Sequence, residues 1–298
     1  MDTNTIELKV TKKYKLQIIL ILAMAVWGLS WTNAKIMGYY TSTPLSMFWR
    51  FFCAVLFFIP VIKWTGNSFF IPRKGLKLIL ANGLLMTLYN YFYFRGTQIG
   101  LAGIGGVLVT TLNPIITMVL AGIILKDSFK TKDVLGAILG IFGGMLIINI
   151  WSVNFGDLLQ NGNIHFILAA SSWACVTLVT SASKDIIHFI PYSFWSMAVA
   201  GLLSFFLSFG EPILSVFDYG WEFWINLFVL SGGAMVFGTT IYFLATVQLG
   251  SRKASAFIFT VPVTAMGFSM LLLGEQLNLN TALGSILAVL GVYLINKA

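Results

Sequence analysis

Asn82, Met86, Tyr89, Asn90, Tyr93 and Thr97 recur at steps of three and four, which puts them on one face of a helix. Ser231, Met235, Thr239, Tyr242 and Thr246 repeat that spacing later in the chain. Amide, phenol and hydroxyl groups so arranged can hydrogen-bond and stack against a ligand; they contain no nucleophile with its base. Both stripes lie in apolar surroundings, where polar groups must find partners or water and so cannot face lipid. Two matching stripes suit a shared polar cavity, although hydrogen bonding between helices would account for either alone.

Other positions extend the candidate site. Asn113, with Thr110, Thr111 and Thr117, surrounds Pro114, and Pro262 interrupts an equivalent stretch beside Thr260 and Thr264. Each proline removes a backbone donor and frees the carbonyl four residues back, at Thr110 and Ile258. Paired interruptions point to a transport site or hinge; a static kink is the alternative. Trp27 and Trp173 sit deeper than interfacial tryptophans usually do, so they either anchor the chain or stack on a ligand. Trp64, Trp151, Trp221 and Trp224 fall at stretch ends and suit an interfacial belt.

Arg50 is six residues past Pro44, roughly 9 Å along a helix, and inside an apolar stretch. It must pair with backbone carbonyls or attract an anionic group. Lys35 and Arg95 are near enough to stretch ends to snorkel. No Asp or Glu lies deep in any apolar stretch, so the buried carboxylate of a proton-driven organic-cation exporter is missing. Cys53 and Cys175 read as small hydrophobes, and no His, Cys or carboxylate set has ligand spacing. No catalytic residue, metal or cofactor is expected, and the chain is not expected to be an enzyme.

The elements that hold these residues follow from composition. The chain is 58% hydrophobic and 9% charged, against about 25% charged for soluble domains. Ten apolar stretches, near 16–37, 44–62, 76–97, 101–125, 132–150, 163–182, 191–210, 222–248, 253–273 and 279–296, approach the roughly 20 residues a crossing helix needs. The chain also repeats itself. Pro114, Asp127, Gly136 and Gly143 meet Pro262, Glu275, Gly284 and Gly291 at a shift of 148, and Trp27 meets Trp173 at 146. Half the chain has room for five crossings, and an odd number turns the second copy upside down. The expected fold is an all-α membrane protein with ten transmembrane helices in two inverted five-helix repeats. Residues 1–15 form a tail, 16–151 the first repeat and 161–298 the second. Inverted repeats place a transport site near the midplane.

The net charge of +8 reflects topology rather than nucleic-acid binding. Fifteen of the 18 basic residues fall on one side of the ten-stretch arrangement, while Asp157, Glu211, Asp218, Glu222 and Glu275 fall on the other. The positive-inside rule then puts both termini in the cytoplasm. The basic start and the Ala23-Met24-Ala25 triplet imitate a signal peptide. Cleavage there would remove half of a stretch whose repeat twin stays whole.

These pieces resemble a known family. Trp27-Gly28, Pro44 followed by Arg50, Asn113-Pro114, the acidic turns at Asp127 and Gly274-Glu275, and the Gly-rich fifth and tenth stretches are similar, in order, to EamA-type transporters of the drug/metabolite transporter superfamily. The resemblance covers nearly the whole chain. It implies ten helices, a bacterial inner-membrane location, and export or exchange of amino acids or related metabolites. Arg50 departs from symmetry, because its twin is Met197. Gly136, Gly140 and Gly144, with Gly284 and Ala288, have the small-residue spacing of tightly packed scaffold helices.

The expected function is therefore secondary transport by alternating access, lined by the first, third, fourth, sixth, eighth and ninth helices. Trp27, Arg50, Tyr89, Asn90, Tyr93, Asn113, Trp173, Thr239 and Tyr242 are the candidate substrate-binding residues, with Pro114 and Pro262 as hinges. A zwitterionic or anionic metabolite is the expected substrate, amino acids first. The alternatives are a carrier for a nucleoside-like metabolite such as S-adenosylmethionine and a passive facilitator. The expected partners are the substrate and the lipid bilayer, without nucleic acid; a single chain and a homodimer both remain open.

Overall fold

A helix closes its own backbone hydrogen bonds, and the computed structural model contains helices and turns but no strand among its described residues. It describes residues 3–100, 102–124, 126, 130–147, 149–152, 162–273 and 279–296. Asp127 and Gly274-Glu275, the acidic turns singled out above, lie outside them. In chain order the helices are α1 (Thr3–Met37), α2 (Thr43–Trp64), α3 (Arg73–Ile99), α4 (Ala102–Ile124), α5 (Thr131–Ile147), α6 (Asn163–Ala182) and α7 (Phe189–Leu207). Then come α8 (Trp221–Leu249), α9 (251–273) and α10 (Leu279–Asn296). Among the described residues six segments are long and apolar enough to cross a membrane: Tyr14–Met37, Thr43–Trp64, Gly105–Ile124, Asn163–Ala182, Phe189–Leu207 and Trp221–Leu249. Helix α3 falls outside this group because Asn82, Thr87, Asn90, Thr97 and Gln98 dilute its apolar residues.

Local sequence explains several boundaries. Ser42 is extended and its hydroxyl accepts from the Leu45 amide, with proline in the first turn of α2; both features start helices. Helices α8 and α9 are joined through Gly250 at φ +88°, a conformation that favours glycine. Two helices are irregular inside. The Val229–Thr239 segment of α8 is π-helical. In α9 a 3₁₀ turn, Phe257–Thr260, separates Ser251–Ala256 from Val261–Leu273. That turn immediately precedes Pro262, whereas α4 runs unbroken through Pro114. The two prolines therefore have unequal effects, a difference that their matched positions concealed.

Packing comes in matched sets. Helix α3 packs on α6 as α8 packs on α1, and α4 packs on α6 as α9 packs on α1. Helix α3 touches α7 as α8 touches α2, while α2 pairs with α7 and α5 with α10. The α5–α10 pair is the tightest. A Cβ on Gly143 would stand 2.6 Å from the Gly284 carbonyl oxygen, and one on Gly291 would stand 2.6 Å from that of Gly136. Backbone meets backbone here, as small residues allow. Gly140 and Gly144 instead turn their open sides to Phe259 and Thr111, so the α5 glycines also seat α9 and α4.

Candidate functional site

Seven helices converge on one cavity, lined by Trp27, Ser30, Trp31, Arg50, Tyr89, Val109, Thr110, Asn113, Trp173, Met235, Thr239, Ile258 and Val261. The passage inside it is narrow. The centre of a water-sized sphere has about 30 Å³ in which to move. One water needs roughly 10–15 Å³ by that measure, so this conformation has room for about two.

The walls are largely aromatic. Trp27 and Trp173 meet edge to face with centroids 5.1 Å apart, and Tyr89 lies 4.6 Å from Trp173. Trp31 packs against Tyr93 at 4.7 Å. Aromatic residues held this way present apolar faces at fixed angles. Trp27 is oriented by its indole N–H, which donates to the Ala234 carbonyl at 3.0 Å. Ala234 belongs to the π segment, and its carbonyl also accepts from the Thr239 hydroxyl at 3.2 Å. Gly238 leaves room for the same indole, since a Cβ there would stand 2.7 Å from Trp27 Nε1.

Arg50 enters from α2 and is 4% exposed. Its Nη1 donates to Asn90 Oδ1 at 2.8 Å, and the Asn90 amide nitrogen donates to the Met86 carbonyl at 2.8 Å. The guanidinium lies 5.4 Å from the Tyr93 ring centre and 5.5 Å from that of Phe94, within cation–π range. Arg50 thus rests on a side-chain amide and two rings, not on the backbone carbonyls that sequence reasoning offered as one partner. Its Nε has no hydrogen-bond partner among the described residues. No Asp or Glu among the described residues forms an ion pair with it.

Asn113 faces the same cavity from α4 and is fully buried. Its Nδ2 donates to the Ala170 carbonyl at 3.1 Å. A carbonyl can only accept, so this contact fixes which way the amide points. Its Oδ1 is then left without a partner among the described residues.

Six of the nine candidate binding residues line the cavity: Trp27, Arg50, Tyr89, Asn113, Trp173 and Thr239. The other three stand behind the wall. Asn90 holds Arg50; Tyr93 lies under Arg50 and donates to the Ser30 carbonyl at 2.8 Å. Tyr242 packs on Trp27 and Trp173, with its hydroxyl 2.8 Å from Thr177 Oγ1. The phenols of Tyr93 and Tyr242 are consumed by neighbouring helices, which is why they do not face the cavity. Neither Pro114 nor Pro262 lines it, but each adjoins residues that do, Asn113 and Val261. Sequence reasoning missed Ser30 and Trp31 as lining residues, although with Trp27 they form an i, i+3, i+4 set. Lys35, which lies near enough to a stretch end to snorkel, donates from Nζ to the Thr97 and Gly100 carbonyls at 2.9 and 3.2 Å. A lysine there satisfies the carbonyl end of α3.

The EamA-like transporter family's sequence profile matches residues 15–149 and again 160–297. The chain belongs to the EamA-like transporter family. It is 28% identical to the "Uncharacterized transporter YoaV" of Bacillus subtilis over 94% of this chain and 96% of that one. It is 25% identical to a "Probable amino-acid metabolite efflux pump" of Salmonella typhimurium over 92% of each, and 25% to one of Escherichia coli over 93% of each. A solved crystal structure 17% identical superposes with a TM-score of 0.77, covering 95% of this chain and 96% of that chain; this likeness concerns the fold. This EamA-like protein is a multi-pass membrane transporter, and its aromatic cavity lies among six of the helices named in sequence, with α2 added by Arg50.

Proposed function

We propose that this EamA-like protein carries amino acids or closely related zwitterionic metabolites, by export or exchange, through alternating access of the aromatic cavity. One observation carries the reading. Arg50 and Asn113 line the cavity, and a donor on one, Nε, and an acceptor on the other, Oδ1, are buried without a partner among the described residues. Unpaired polar groups inside a protein are costly, and a carboxylate and an ammonium on one small molecule would satisfy both. The aromatic faces, Met235, Ile258 and Val261 offer apolar surface for the rest of the substrate. The efflux-pump names of two relatives point to the same substrate class.

The architecture is that of ten transmembrane helices in two inverted five-helix repeats, 16–151 and 161–298, in the bacterial inner membrane with both termini cytoplasmic. Its supports are the repeated sequence, the double match of the family profile and the paired helix packing. Pro114 and Pro262 are the hinge positions, and the 3₁₀ turn before Pro262 makes α9 the softer of the two. The narrow cavity is one state of this cycle, because a metabolite enters only when the helices part.

The test is counterflow in proteoliposomes. Unlabelled amino acid inside should accelerate entry of the labelled one at least tenfold, and Arg50→Met should reduce that exchange at least tenfold. Equal flux with and without internal substrate would identify a passive facilitator instead. Exchange of S-adenosylmethionine but of no amino acid would favour the nucleoside-like alternative.

A further inference from the structure

The guanidinium of Arg50 poses a problem that a substrate solves for only part of a transport cycle. An isolated charge in a low-dielectric interior carries a large desolvation penalty, and in a membrane helix it persists through partners or water. The partners of Arg50 are neutral: an Asn90 oxygen and the faces of Tyr93 and Phe94. They orient the group and leave its charge uncompensated. Among the described residues no carboxylate pairs with it, and the ion pair between Arg252 and Asp133 joins α9 to the start of α5. After substrate leaves, Arg50 must still pass through the closed conformation.

The size of the passage identifies what can accompany it. Room for about two water-sized bodies is too little for a metabolite and enough for a small ion. The sign is set by the wall, which contains Arg50 and no acidic side chain. Beside Arg50, Tyr89 also lines the cavity. An N–H of a cation and a neutral O–H are both donors, the pair of groups that a monatomic anion accepts from.

We propose that the cavity binds a small inorganic anion, chloride under ordinary conditions, at the Arg50 guanidinium whenever substrate is not there, and that the anion yields this place to the substrate's carboxylate. The proposal shares with the functional reading the idea that Arg50 is the cavity's anion-binding group, and it does not depend on which metabolite is carried. The consequence is an exchange of one negative charge for another at a single site. Arg50 is neutralised in both loaded and unloaded carriers, and the low-dielectric core does not have to accept a bare cation in either.

The experiment uses the purified full-length protein without any metabolite, with sodium chloride replacing sodium gluconate at constant ionic strength. Trp27, Trp31 and Trp173 line the cavity, so their intrinsic fluorescence reports occupancy. A saturable response to chloride is expected, at least tenfold weaker in Arg50→Met and within a few fold of the parent in Arg50→Lys. Asn90→Asp supplies an internal carboxylate beside Arg50 and should also weaken chloride at least tenfold, so it decides the matter if Arg50→Met does not fold. A linear, non-saturating response in the parent, or equal affinity in Asn90→Asp, would overturn the proposal. Because no amino acid is present, failure of amino-acid counterflow would leave the chloride result standing, and the reverse also holds.

Discussion

The α5–α10 seam and the aromatic cavity are built from the same two halves of the chain and solve opposite problems. At the seam, glycines bring backbone onto backbone, and nothing between Gly143 and Gly284 could move aside. At the cavity, bulky rings hold the helices apart, and polar atoms on Arg50 and Asn113 are left unpartnered. Packing without gaps makes an element rigid. Unsatisfied groups in a gap give a ligand something to bind. The contrast assigns scaffold to one region and recognition to the other, and it can be broken by exchanging their chemistry.

The largest effect should come from the seam. Gly143→Val places a Cβ 2.6 Å from the Gly284 oxygen and 2.9 Å from the Ala288 nitrogen, both backbone atoms. Overpacking typically costs ~1–3 kcal/mol where side chains can adjust, and here they cannot. Folded yield, read by size-exclusion chromatography of a fluorescent fusion, should fall to a small fraction of the parent's. A well-folded Gly143→Val protein would mean that the two helices separate freely, and the scaffold assignment would fail.

The cavity should respond in the opposite sense. Asn113→Leu removes the unpartnered Oδ1 along with the bond to Ala170, which should cost about 1 kcal/mol of stability. Folded yield should stay near that of the parent while counterflow drops at least tenfold. If yield and counterflow fall together, Asn113 is a packing residue like the glycines.

The smallest effect belongs to the end of the molecule where α1 turns into α2. There the Tyr40 hydroxyl donates to Glu222 at 2.9 Å, Tyr219 donates to the Tyr40 carbonyl at 2.8 Å, and Ser42 bonds Glu211. These exposed contacts tie the first half of the chain to the second. Glu222 holds the Tyr40 phenol above its ordinary value of 10.0 by accepting a hydrogen bond from it. A raised pKa means that this contribution is whole below 10.0 and is lost only as pH climbs through the folded value. Tyr40→Phe should therefore change transport less than twofold, and Tyr40 ionisation should add no pH dependence near neutrality. A severalfold change would make this end a gate as sensitive as the cavity itself.

Much of this was legible in the linear chain. Apolar length and the scarcity of charge determine a helical membrane protein, because a lipid interior leaves the backbone no other partners than its own. The Gly spacing of α5 and α10 foretold their close packing. The polar stripes foretold that α3 and α8 would both line the cavity, since hydrophilic groups at helical spacing must turn inward. What spacing could not decide was the use of each group. Tyr89 and Tyr93 are four residues apart on one face, yet Tyr89 lines the cavity and Tyr93 gives its hydroxyl to Ser30. Asn90 lies beside them and holds Arg50 from behind. Arg50 was read as needing carbonyls or an anion, and only the folded arrangement supplied the amide and rings that steady it while leaving Nε without a partner among the described residues. A period of three and four residues fixes the direction of a side chain from its own helix axis. Whether that direction ends in a neighbour's carbonyl or in open space depends on residues a hundred or more positions away, and that distance is closed only by tertiary packing.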